Sequence, residues 1–484
     1  MKINIFKKII PIIFIIFNII TCFDTPKMDM VIPDIQVRLS NNAILPGELG
    51  YTFNSLAIGL SNYIEFTIEN TGNFALRING DIETSNSDDF SVQQPANTMI
   101  EIGGNENFTV IYNPKNKGER STIITINSND SLQDPYTFSV KGSGLGGGRL
   151  EYIDKYQSLT NVGLCRSVAV SPDGRHVYAT SYYYDAVSWF NRNESTGALT
   201  WSFRYRDVTI LNGANCVAIS PDGKNAYVTA EESDTIAWFS RNTTTGYLTY
   251  LNNYTNSIID QANYVTVSPD GKHVYVIGYA ADTIAWFNRN TTTGELTFRN
   301  SYSNVNIDGV NSIVISPDGN NIYIAAEVDG SVSWFDRDAS SGDLTFVDKT
   351  ISHNITNARS VAISPDGKYV YVVHYGIGGS IYSFARDTDT GDLTNSNYIY
   401  YEDVDYPQSL IIHPDGKNAY VTSEVTDSVF WYVRDESTGE LAYTGKYTNE
   451  SNIDEAYSLA ISPDGNNIYV AADWCNAVIW FSRD

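Results

Sequence analysis

Five histidines are the whole supply of imidazole in these 484 residues, and His374 is the one that stands in a stretch differing from its counterparts elsewhere in the chain. Glu327 and Glu424 occupy comparable places, and an imidazole beside a carboxylate can take a proton from water, the first requirement of a hydrolase. The other histidines are poorer candidates. His176 and His273 are expected at surface hairpin positions, His413 replaces a serine in a turn, and His353 lies in a connection between repeats. No Ser-His-Asp order, phosphate loop or metal-ligand spacing is visible. Asp387, Asp389 and Asp392 begin like a calcium loop, but Gly391 and Tyr398 stand where the fifth and twelfth ligands belong, so a solvated hairpin is expected, without metal or cofactor.

Recognition has more to work with. Tyr182-Tyr183-Tyr184, Glu231-Glu232, Tyr279, Glu327 with Asp329, His374-Tyr375, Glu424 and Asp473-Trp474 set aromatic rings beside carboxylates, which suits a polyol, a cationic group or a peptide. Within this set Tyr183, Glu232, Tyr279, Glu327, His374, Glu424 and Trp474 are the expected ligand contacts. The plainer alternative is ordinary hairpin loops with scattered polar side chains.

A repeat must position these residues. A block of about 48 residues recurs seven times between Arg149 and Asp484, anchored on Ser-Pro-Asp-Gly at Ser171, Ser220, Ser268, Ser316, Ser364 and Ser462, with His413 in the sixth copy. In the fourth copy a β-branched run over 312–316 leads into the turn. Pro317 presets φ, Asp318 bonds its own backbone and Gly319 accepts a left-handed φ, so 321–325 returns as a hairpin. A third strand over 331–337 and a fourth from 343 to about 348 complete an antiparallel propeller blade.

Third strands such as Ile284-Ala285-Trp286-Phe287 are apolar without alternation, so both faces of each blade must be covered, and neighbouring blades supply the cover. Trp189, Trp238, Trp286, Trp334, Trp431 and Trp480 form an equivalent set, worth on the order of 15 kcal/mol gross. Ser383 breaks it, which predicts that blade 5 is the loosest packed. The Ser-Pro-Asp-Gly aspartates and an arginine ending every third strand also recur sevenfold, which favours an Asp to Arg pair clamping each blade over a ligand ring. The variable loops lie on the opposite face, where binding is usually found.

The chain ends at a third strand, while Gly148-Arg149-Leu150-Glu151-Tyr152 matches the fourth-strand segment Gly294-Glu295-Leu296-Thr297-Phe298. Residues 149–157 are therefore expected to pair into the last blade and close a seven-bladed ring. The fold class is all-β, a sandwich followed by this propeller.

At the front, residues 1–21 read as an export signal too short to span a bilayer, with Lys2, Lys7 and Lys8 ahead of an apolar run. Ile19-Ile20-Thr21-Cys22 resembles a bacterial lipobox, which implies lipidation of Cys22, a tether over 22–29 and a membrane anchor. Secretion without a lipid, or a retained anchor, are the alternatives; each places the rest outside the cytoplasm. A net charge of −25 disfavours nucleic acid. Four cysteines are too few to be the scaffold, yet a Cys165 to Cys475 disulfide could staple the closure, against two free buried thiols or a Cys165 to Cys216 pairing.

Residues 30–143 lack the repeat. They carry strand-like runs over 64–68, 108–112, 122–126 and 136–140 with Asn70-Thr71-Gly72 and Asn113-Pro114 turns, the pattern of an immunoglobulin-like sandwich. Phe66-Thr-Ile-Glu-Asn-Thr-Gly72, Phe108-Thr-Val-Ile-Tyr-Asn-Pro114 and Val140-Lys-Gly-Ser-Gly144 resemble the abnormal-spindle/Hydin, or choice-of-anchor D, type, a spacer or docking module. Residues 144–148 are a glycine linker to the propeller at 149–484.

Val-Ala-Ile-Ser-Pro-Asp-Gly-Lys-Tyr-Val-Tyr-Val-Val (361–373) and Trp-Phe-Asn-Arg-Asn-Thr-Thr-Thr-Gly-Glu-Leu-Thr (286–297) resemble the seven-bladed lactonase family, which includes 6-phosphogluconolactonase, and its YVTN-type relatives. That resemblance implies the fold, and for activity a lactone hydrolase with His374, Glu327 and Glu424 as its only catalytic candidates. The leading expectation remains an exported cell-envelope lipoprotein whose propeller binds a carbohydrate, peptide or envelope protein. A purely structural envelope protein is the third reading.

Overall fold

The computed structural model describes residues 32–484 except 40–41, 54–55, 59, 352–354, 356 and 401–403. The export signal, Cys22, the tether and His353 fall outside the described residues. Two compact units divide the chain, the larger containing Gly142–Asp484.

The smaller unit is a sandwich. One sheet orders Asn42–Ile44, Ile35–Leu39, Asn62–Asn70, Asn105–Tyr112 and Phe90–Gln93; the other orders Leu49–Thr52, Tyr136–Leu145, Gly118–Ile126 and Glu83–Thr84. Alternation along Asn105–Tyr112 buries Phe108, Val110 and Tyr112. Phe66, Phe108 and Phe138 then meet in the core with centroids 5.0 to 6.5 Å apart. Asn70 of the Asn-Thr-Gly turn is buried and donates to the carbonyls of Phe74 (2.8 Å) and Ile100 (2.9 Å), so that motif is structural.

The larger unit is seven four-stranded sheets. Blade 4 consists of Val310–Ile315, Asn321–Ala326, Ser331–Arg337 and Leu344–Ile351. Its fourth strand outruns the expected end because it pairs along the whole third strand, from Arg337↔Leu344 to Ser331↔Ile351. Ser316 explains the serine of the anchor: its Oγ donates to Asp318 Oδ1 (2.5 Å) and accepts from the Asn321 N–H (2.9 Å), pinning the turn while Gly319 takes φ +76°.

Leu150–Gln157 pairs antiparallel with Ala477–Arg483, from Leu150↔Arg483 to Gln157↔Ala477, and completes blade 7. Tyr152 adds a stack on Tyr447 of blade 6 at 5.5 Å and an edge contact with Phe481 at 6.0 Å. Apolar cores fill the seams between blades. Trp189 of blade 1 lies with Leu211, Val217, Val228 and Phe239 of blade 2, and its cross-strand partner is Tyr178. The Tyr–Trp pairing recurs in every blade except blade 5, where Tyr371 faces Ser383 and the seam to blade 6 holds no tryptophan.

The arginines clamp neighbouring blades, which corrects the expectation of a clamp within each blade. Arg289 of blade 3 reaches into blade 2: Nη2 donates to Asp222 (2.9 Å) and Asn225 (2.7 Å), and Nε to the Tyr227 hydroxyl (2.7 Å). Only Nη1 stays home, on the carbonyl of Gly271 (2.9 Å). All seven arginines pair with the aspartate of the preceding blade, Arg192 of blade 1 taking Asp464 of blade 7. Burial alone would raise the Asp222 carboxyl; hydrogen bonds from Ser220, Arg289 and the Lys224 N–H overcome it and hold it below its ordinary value. Arg289→Ala is expected to cost about 2 kcal/mol in a thermal melt, because Asp222 stays wet enough to rehydrate while the tyrosine and asparagine lose their partner.

His176 and His273 are buried, contrary to the surface expectation, because the residue after the turn faces the seam. Each Nδ1 lies 2.7 Å from an arginine Nη2, of Arg241 and Arg337, so each ring accepts there and is neutral. Burial and then Arg241 bring the His176 pKa down to about 4.

The thiols of Cys165, Cys216 and Cys475 are free and buried, so neither proposed disulfide exists. Cys165 belongs to the core between blades 7 and 1 and Cys475 to the core between blades 6 and 7, on opposite faces of one sheet. Dithiothreitol is accordingly expected to leave the melting temperature unchanged in differential scanning calorimetry.

Candidate functional site

Each first strand presents its edge to the propeller axis, so consecutive residues of all seven blades enclose a central cavity of about 410 Å³. Two rings of side chains at its mouth break the sevenfold repetition. Just ahead of or within the first strands stand Arg166, Asn215, Asn263, Asn311, Arg359, Gln408 and Tyr457, all lining the cavity. Directly after the second strands come Tyr182, Glu231, Tyr279, Glu327, Tyr375, Glu424 and Asp473. The inner ring is rich in hydrogen-bond donors, and the outer ring alternates phenols with carboxylates from Tyr182 to Glu424, after which Asp473 adds a second carboxylate in succession.

The carboxylates orient the donors. Glu231 accepts from Arg166 Nη1 (3.1 Å) and Asn215 (2.7 Å). Glu327 accepts from Arg359 Nη1 (3.1 Å) and Asn311 (2.5 Å). Glu424 accepts from Gln408 and from the Tyr375 hydroxyl (2.8 Å). Arg359 also donates Nε to Gln408 Oε1 (2.8 Å) and Nη2 to the Tyr457 hydroxyl (3.1 Å). The Arg166 guanidinium carbon lies 3.7 Å from the Tyr182 ring centroid and 5.7 Å from that of Tyr457, which therefore neighbours both arginines.

Burial raises the carboxyl pKa of Glu231 and of Asp473, whose Oδ1 has no partner among the described residues. Glu455, beside the mouth, is lifted to about 7 by burial and then by the charges of Glu424, Asp473, Asp454 and Asp427. A carboxyl with a raised folded pKa holds its proton longer folded than unfolded, so it lowers stability as pH climbs from about 4.5 to about 7. Glu455→Gln is expected to flatten that fall and to raise the melting temperature at pH 8 relative to the parent chain.

Tyr279, Glu327 and Glu424 occupy the outer ring, as the sequence suggests. Tyr183, Glu232 and Trp474 stand one residue beyond it on the exposed rim, with Tyr183 64% and Trp474 65% accessible, and their ring places go to Tyr182, Glu231 and Asp473. Glu232 accepts the Tyr182 hydroxyl at 2.6 Å. His374 ends its strand half-buried, with burial lowering its pKa, and Tyr375 takes the ring position. Glu327 and Glu424 thus serve arginine, amide and phenol groups. Arg166, Arg359 and Tyr457 go unseen when only loops are compared, because they stand at the first strands. Aligning the repeats on Ser-Pro-Asp-Gly exposes them as the column Arg, Asn, Asn, Asn, Arg, Gln, Tyr.

A family model for the seven-bladed lactonase β-propeller matches residues 147–258, 258–454 and 356–484. The chain belongs to the lactonase propeller family. Residues 51–143 match the HYDIN/CFA65/VesB-like Ig-like domain. Among solved structures, a putative 6-phosphogluconolactonase from Bacteroides uniformis shares 21% identity and a TM-score of 0.55, covering 69% of this chain and 97% of that one. The periplasmic gluconolactonase of Pseudomonas aeruginosa shares 16% identity at TM-score 0.54, covering 72% and 95%. Kuenenia stuttgartiensis hydrazine synthase reaches 20% and 0.54, covering 69% and 99%, so these likenesses to solved structures show the fold alone. No curated protein matches the chain.

Proposed function

We propose that this lactonase-family propeller hydrolyses the lactone of an unphosphorylated sugar acid at the mouth of its central cavity. One observation carries the reading: Arg166 and Arg359 face a single cavity and are backed by the buried Asp473 and the partly buried Glu231 and Glu327, of which Glu231 and Asp473 have raised pKa values. A carboxylate of this group takes a proton from water, the hydroxyl oxygen bonds to the lactone carbonyl carbon, and guanidinium and amide donors stabilise the oxyanion. Collapse breaks the ring C–O bond, and the same proton goes to the departing alkoxide. The acidic outer ring disfavours a dianionic phosphate ester. The relatives described as a putative 6-phosphogluconolactonase and a gluconolactonase support the reaction class.

A binding or scaffold module for an extracellular or periplasmic ligand is the second reading, favoured because each guanidinium is already ion-paired and rigidly held. In either case we place the protein at the cell envelope, anchored through Cys22; Cys22→Ser is expected to move it from the membrane to the soluble fraction. The reaction itself is tested by titrating the acid released from glucono-δ-lactone and its 6-phosphate. Turnover of the first above its spontaneous rate is expected. No turnover of any sugar lactone leaves the binding reading in its place.

A further inference from the structure

The propeller is electrically polarised. Among the described residues, the turns after the second strands and the segments leading into the first strands carry seventeen Asp and Glu and a single Lys or Arg, Arg166. The Ser-Pro-Asp-Gly face also carries many acids, but it sets against them Arg175, Lys224, Lys272, Lys368 and Lys417 together with the seven clamp arginines. Glu232, Asp234, Asp260, Asp282, Asp308 and Asp427 have no Lys or Arg ion-pair partner among the described residues. Their field is therefore not cancelled locally.

The same face is studded with apolar side chains. Val305, Val328, Ile377, Val425 and Trp474 are 59 to 80% accessible, and Tyr183 is 64% accessible. Four of them, Tyr183, Val328, Val425 and Trp474, occupy one position in their blades, the second residue after the second strand, so they ring the cavity mouth at one level. Ile377 lies one residue further along in blade 5, whose turn is a residue longer. A soluble surface rarely exposes so many large apolar groups together without a use.

We propose that this face docks a basic polypeptide bearing apolar side chains, whose lysines or arginines meet the uncompensated carboxylates while its apolar groups cover Val328, Ile377, Val425 and Trp474. Charge complementarity selects the occupant: an anionic lipid surface or nucleic acid is repelled by the same carboxylates, and a neutral sugar leaves them unanswered. The surface stands independently of any lactone chemistry in the cavity.

The test uses the full chain and a synthetic amphipathic peptide of lysine and leucine in titration calorimetry, with polylysine and phosphatidylcholine vesicles alongside. Binding of the peptide that weakens with salt is expected. The triple variant Val328→Ser, Ile377→Ser, Trp474→Ser should weaken it about tenfold or more. Leu251→Ser with Val347→Ser, exposed on outer strands, should change nothing. The proposal is overturned if polylysine binds as tightly as the peptide, if the triple variant binds like the parent while melting normally, if the vesicles are preferred, or if no peptide binding occurs.

Discussion

A chain lacking residues 149–157 is expected to lose the cooperative unfolding of the propeller and to elute as aggregate in size-exclusion chromatography. The segment makes seven residue pairs with Ala477–Arg483, and without it that strand has an open edge. Leu150 leaves the core between blades 6 and 7, and Tyr152 leaves its stack on Tyr447. Val478 and Trp480 belong to the blade 7 to blade 1 core, and Ile479 and Phe481 to the blade 6 to blade 7 core, so damage at this edge reaches both seams. Returning the segment after Asp484 through a turn like Asn193–Gly197, the connection used in blade 1, should restore a single melting transition. Cooperative melting of the deleted chain at the parent temperature would show that the ring does not depend on its borrowed strand.

Arg359→Ala is expected to lower kcat/KM for a sugar lactone by about a hundredfold to a thousandfold, the usual cost of an oxyanion donor. Arg359 sits at the centre of the mouth network, bonded to Glu327, Gln408 and Tyr457 together. Its loss removes a donor from the cavity and leaves Glu327 with Asn311 alone among these partners. Arg359→Lys should not rescue the rate, because an ammonium cannot satisfy three separately placed acceptors in one plane. A melting temperature close to that of the parent chain must accompany the loss. Undiminished turnover in a folded Arg359→Ala protein would remove the arginine from the reaction and with it the chemical reading of the mouth.

The blade was legible in the sequence because its information is local. Ser-Pro-Asp-Gly specifies a hairpin within a few residues, and the Trp-bearing third strands declare themselves by losing alternation. The closing strand was legible too, since a fourth-strand pattern without a blade in front of it has only one open edge to fill. The mouth was half legible. Variation after the second strands pointed to Tyr279, Glu327 and Glu424, but the neighbours of Tyr183, Glu232, His374 and Trp474 hold the ring positions, because a turn of four or five residues does not state which member faces the axis.

The sequence by itself determined the blade count, the sandwich ahead of it and the way the circle shuts, since each depends on contacts made inside one repeat or on a frame match between its ends. Only the tertiary structure decided which blade an arginine clamps, that His176 and His273 are buried and neutral, and that Cys165 and Cys475 belong to separate cores. It alone brought Arg166 of blade 1 and Arg359 of blade 5 to a shared neighbour, Tyr457 of blade 7. Those outcomes depend on where the ring sets one blade against another, and no single repeat carries that geometry.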